Sequence, residues 1–98
     1  MQKVETSCPA EELLKRLSGK LKPQIFQLAM HSPLRFNTLL REIEGANKQS
    51  LSLALKELTD DGYLTKEVIK VKPLHIEYTL SEHGKALIPV FQQLERLH

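Results

Sequence analysis

The chain has no tryptophan, two tyrosines, three phenylalanines and a single cysteine, Cys8, among its 98 residues. One thiol forms no internal disulfide, so the cysteine-stapled secreted scaffold is excluded. So few aromatics leave no platform for stacking the bases of single-stranded DNA or RNA. No apolar run approaches the roughly 20 residues a membrane helix needs. The first residues, MQKVETSCPAEELLKRL, lack the apolar centre of a signal peptide. A cytoplasmic protein with no membrane partner is expected. The histidines, His31, His75, His83 and His98, include no i, i+3 or i+4 pair, so no metal site is expected. No glycine-rich phosphate loop and no nucleophile–base arrangement is present, and neither a cofactor nor an enzyme is expected. Charge of one sign is also missing. Fourteen Lys and Arg against 12 Asp and Glu leave a net charge of +2. A nucleic-acid surface must then come from local clustering rather than overall charge.

What is present is one domain's length of ordinary globular composition, read as a single domain over residues 1–98. Its core is modest, which favours oligomerisation. Cys8-Pro9-Ala10-Glu11-Glu12 reads as a helix start, with proline at the first position and acids facing the positive helix end. Leu13, Leu14 and Leu17 give that helix an apolar edge, and Ser18-Gly19 stops it. A second helix follows Lys20, with Ile25, Phe26, Ala29 and Met30 at helical spacing. Beyond His31-Ser32-Pro33, residues Phe36, Leu39, Leu40 and Ile43 fall at i, i+3, i+4 and i+7. Glu44-Gly45-Ala46-Asn47 is a turn, with Asn47 as N-cap of a helix that runs to about Asp61 and stops at Gly62. Tyr63–Lys70 and His75–Leu80 read as two strands around the loop Lys70-Val71-Lys72-Pro73. Ser81 caps a last helix with the apolar stripe Leu87, Val90, Phe91, Leu94 and Leu97, and with Pro89 as a kink point.

Helix, tight turn, helix and hairpin over residues 33–80 is the order of a winged helix-turn-helix. The fold class is therefore mainly α with a small β hairpin. Such modules put their second helix into the DNA major groove. At about 100° per residue, Leu51, Ala54, Leu55 and Leu58 converge on the core side of that helix. Gln49, Ser52, Leu53 and Lys56 point away, with Lys48 at the flank, and the capping Asn47 counts with them as a DNA-contact candidate. This outward set can donate to and accept from base edges and phosphates, and Leu53 can meet a thymine methyl. Glu57, Asp60 and Asp61 crowd the helix end, where acid opposes the dipole and repels phosphate. The N-terminal half must therefore lead into a groove. The alternative is a solvated amphipathic helix in a bundle.

Arg35, Asn37 and Thr38 cluster at the start of the preceding helix, where free N–H groups favour an anion. Local capping is the plainer role for Asn37 and Thr38. Lys66, Lys70 and Lys72 lie on the hairpin, the last two flanking its tip. A basic wing suits the phosphate backbone or a minor groove, although edge strands also carry lysine to discourage pairing.

These residues resemble the HxlR family of bacterial winged-helix regulators. The resemblance rests on Cys8-Pro9-Ala10-Glu11, Gly19-Lys20, Leu34-Arg35-Phe36-Asn37, Leu55-Lys56-Glu57-Leu58, Asp61-Gly62-Tyr63-Leu64, Pro73, Glu77-Tyr78-Thr79-Leu80, Gly84 and Leu87-Ile88-Pro89-Val90. Leu21 stands where the family usually has tryptophan, Pro23 is unusual, and Asn47 replaces a common serine. The resemblance implies a homodimer whose first and last helices pack across a two-fold, a palindromic double-stranded operator, and control of transcription. Leu13, Leu17, Val90, Phe91, Leu94 and Leu97 are then shared between core and dimer seam. It also implies an oxidant or electrophile sensor at Cys8. A helix N-terminus favours a thiolate there, while Glu5, Glu11 and Glu12 oppose it. A half-buried, inert thiol is the alternative. Two other readings stay open: a winged-helix protein–protein interaction module without DNA binding, and a regulator with a small-molecule effector of unknown identity.

Overall fold

The structure, a computed structural model, describes residues 9–96. The elements run α1 (Pro9–Arg16), α2 (Leu21–Ala29), α3 (Phe36–Glu42), α4 (Lys48–Asp60), β1 (Leu64–Lys70), β2 (His75–Leu80), α5 (Glu82–Ala86) and α6 (Ile88–Arg96). The strands form an antiparallel hairpin with Leu64 opposite Leu80, Lys66 opposite Tyr78 and Val68 opposite Ile76. The expected mainly helical winged helix-turn-helix is what the chain builds.

Phe26 is the hub of the core. Its ring meets Tyr63 edge-on at 6.3 Å and leans on Phe91 at 4.7 Å. It thereby ties α2 to the junction after α4 and to α6. Leu13, Ile25, Leu39, Leu51, Leu55 and Leu58 are buried around these rings. Each such side chain stabilises the fold by about 1.5–3 kcal/mol relative to exposure.

α4 is delimited by its own sequence. The Asn47 side chain accepts a hydrogen bond from Ser50 N–H at 2.8 Å, and the Ser50 hydroxyl accepts from Asn47 N–H at 3.2 Å. At the other end Gly62 turns left-handed, at φ +87°. Tyr63 N–H then reaches back to Leu58 C=O and Gly62 N–H to Thr59 C=O. This double closure satisfies carbonyls that the helix end would otherwise strand. It also delivers Tyr63 into the core.

Two features depart from the sequence reading. The last helix is two helices, α5 and α6, divided at Leu87. Pro89 has no N–H for the carbonyl of Lys85 and its ring crowds that turn, so the helical hydrogen-bond ladder is interrupted there. Leu34, which the sequence assigns to no element, forms a two-bond bridge with Tyr78, at 2.8 and 2.9 Å. That bridge fastens the start of α3 to the wing.

Candidate nucleic-acid interface

The outward face of α4 forms as expected. Leu51, Ala54, Leu55 and Leu58 are buried, while Lys48, Gln49, Ser52, Leu53 and Lys56 are exposed. Ser52 and Lys56 share a cleft with Phe36, Thr59, Asp60, Lys66 and Tyr78. Phe36 also borders a second hollow with Arg35, Asn37, Leu74 and Ile76. Through Phe36, the start of α3, the middle of α4 and the root of the wing make one continuous surface. The Leu34–Tyr78 bridge is the reason, because it holds α3 and β2 side by side. Arg35 and Asn37 are exposed on this surface and Thr38 is half-buried. Arg35 itself is the N-cap of α3, and it makes no side-chain cap bond.

Not every sequence candidate joins that surface. Leu53 is 56% exposed but lies on the other shoulder of α4, in a shallow hollow with Gly19 and Lys20 of the α1–α2 turn. The Asn47 side-chain oxygen is committed to capping Ser50. Lys66 does join that surface, in the cleft beside α4 and opposite Tyr78. The pleat decides this, since side chains two apart share a face and Lys66 falls on the face of Leu64. Lys70 and Lys72 are exposed at the tip.

The acids at the end of α4 are each matched. Lys22 Nζ lies 2.6 Å from Glu57, and Arg16 lies 3.4 Å from Asp61. Asp60 takes Lys56 Nζ at 2.7 Å. Lys56 thus points outward as expected, with its ammonium paired to Asp60. The hydrogen bond and the charge of Asp60 hold its pKa above the ordinary lysine value. The i, i+4 spacing of Lys56 and Asp60 is the signal that could have shown this pair.

The wing also carries what the charge pattern concealed. Val68, Ile69, Val71 and Leu74 are all more than half exposed. The register slips between Val68 and Lys70, so the strand bulges and the alternation of faces fails there. The failed alternation in Val68-Ile69-Lys70-Val71 was a readable sign.

At the opposite end α1 packs on α6 within the protomer. Leu13, Leu17 and Phe91 are buried there. Of the residues that the sequence left divided between core and seam, these three fall on the core side of the described chain. Val90 and Leu94 are half-buried, and Leu14 is 54% exposed. Leu13, Leu14, Leu17, Pro23, Phe91 and Leu94 border an apolar cavity of about 240 Å³ open at this end. Cys8 and Leu97 lie outside the described residues. Among the described residues no group of metal-ligating side chains comes together, and no helix is long and apolar enough to cross a membrane.

A family model described as HxlR-like helix-turn-helix matches residues 16–98. The chain is 34% identical over 88 residues to the HTH-type transcriptional regulator YybR of Bacillus subtilis, covering 90% of this chain and 70% of that protein. It is 33% identical over 91 residues to the HTH-type transcriptional regulator YodB of the same organism, covering 92% and 81%. The solved structure of the redox regulator HypR in its oxidized form superposes with a TM-score of 0.80 at 33% identity, covering 92% of this chain and 93% of that one.

Proposed function

The chain belongs to the HxlR-like helix-turn-helix family, and on that premise we propose that it acts as a homodimer on a two-fold-symmetric double-stranded operator. Its activity as a DNA-binding regulator of transcription follows from that membership and from its winged-helix fold. The observation that carries the finer reading is the continuous surface joined through Phe36. It is shaped for a duplex: α4 in a major groove, α3 and the wing astride the flanking backbone. Lys48, Gln49, Ser52 and Lys56 read base edges. Arg35, Asn37, Thr38 and Lys66 hold phosphates beside them, and Lys70 and Lys72 extend the hold at the wing. Leu14, Val90 and Leu94 form the seam that sets two α4 helices about one helical turn apart, roughly 34 Å.

Salt decides between this and a protein-docking module. A dimer that neutralises several phosphates loses affinity steeply and linearly on a log–log plot as salt rises. Absence of duplex binding at low salt contradicts the reading.

A second reading concerns Cys8, which precedes the first residue of α1 in sequence. Likeness to a protein described as a redox regulator supports an oxidant-responsive thiol here. The test is a thiol pKa measured together with DNA affinity before and after mild oxidation. A pKa at or above that of free cysteine, with unchanged affinity, removes the idea.

A further inference from the structure

Among the three acids that end α4, Asp60 stands apart. Glu57 and Asp61 draw their cations from α2 and α1, away from the reading surface. Asp60 draws its cation, Lys56, from the reading surface itself, and borders the same cleft as Ser52 and Lys66. Both side chains of the pair are well exposed, at 73% and 60%. Burial therefore does not force them together, and solvent screens the attraction.

We propose that Asp60 is a specificity-determining residue, a built-in competitor that discourages Lys56 from gripping phosphate while leaving it free to address a base. The inference rests on the DNA reading above. Its physical basis is the donor count of an ammonium group. Lys56 has three N–H donors. With one held by Asp60, another still reaches a neutral acceptor such as guanine O6 or N7. A phosphate at the same place brings a second anion against the Asp60 carboxylate, and like charges repel. Phosphate contact forces Lys56 to leave Asp60 or the phosphate to endure it, whereas base contact demands neither. Non-specific binding, which lives on phosphates, is penalised more than specific binding. Lys66, in the same cleft with no acidic partner among the described ion pairs, is the side chain left to hold the backbone there.

The test compares wild type, Asp60→Asn, Lys56→Gln and the double variant on two duplexes: one of random sequence and one selected from fragments of the source genome. Asp60→Asn is expected to tighten random-duplex binding by roughly two- to fivefold and to steepen its salt slope by up to about one counterion. Affinity for the selected duplex changes less, so the specificity ratio falls. In the Lys56→Gln background the same substitution has no such effect. An unchanged random-duplex affinity overturns the proposal. An equal effect with and without Lys56 also overturns it, because Asp60 then acts by general repulsion. A wild type that binds neither duplex removes the DNA reading and this inference together; wild-type binding with a silent Asp60→Asn removes this inference alone.

Discussion

Gly84 lies flat against the main-chain carbonyl of Tyr63, nearer than any side chain allows, with a Leu80 methyl crowding the same spot. The contact seats α5 on the corner where α4 passes into β1. Ser81 reinforces the corner: its hydroxyl donates to the Gly62 carbonyl and accepts from Gly84 N–H. Gly84→Ala is expected to cost about 1–3 kcal/mol through overpacking, read as a lower urea midpoint. An unaltered midpoint contradicts the close approach.

The ends of α4 make a second test. Asn47→Ala removes a cap and should cost about 1 kcal/mol, while Asn47→Ser should be nearly silent. Gly62→Ala forces a side chain into the left-handed region, at about 1–2 kcal/mol. Thermal melts of the three variants should rank accordingly.

The core and the proposed dimer seam separate at neighbouring leucines. Leu13→Ala opens a cavity in a fully buried position and should destabilise by about 2–5 kcal/mol. Leu14→Glu should leave the protomer folded but shift sedimentation toward monomer. A dimer indifferent to Leu14→Glu would place the seam elsewhere.

On DNA, Lys72→Ala should weaken all sequences alike and flatten the salt slope by about one. Lys56→Ala should weaken the selected duplex more than random duplex. Equal losses on random DNA would contradict this division of roles.

Burial raises the pKa of Tyr63 above the ordinary tyrosine value, with the nearby Glu12 adding to the shift. The fold therefore favours the neutral phenol. Its contribution is complete below the unfolded value, near 10, and is lost as pH climbs through the folded one. Stability should fall above about pH 10, and Tyr63→Phe should remove part of that fall. Denaturant midpoints across the alkaline range provide the check.

Much of this was legible from residue order. Asn47 and Gly62 mark the ends of α4 because caps are local chemistry, satisfied within a few residues. The stripe Leu51, Ala54, Leu55 and Leu58 is buried because helical periodicity alone assigns a face. Pro89 marks a disturbance in the helical pattern, but whether it kinks or splits the helix depends on what Leu87 and Phe91 can pack against. The broken alternation at Ile69 was visible yet ambiguous, since a bulge is defined by the partner strand.

Local spacing, caps and turn glycines thus specify helix, turn, helix and hairpin without reference to anything distant. Three facts needed the assembled chain. Leu34 bridges Tyr78, which aligns α3 with the wing. Phe91 meets Phe26, which spends Leu13 and Leu17 inside the protomer and leaves Leu14 outside. Lys66 meets Phe36 of α3 in one cleft beside α4. Each joins residues far apart in the chain, and such meetings are selected by the shared burial of apolar surface, which no single window of sequence contains.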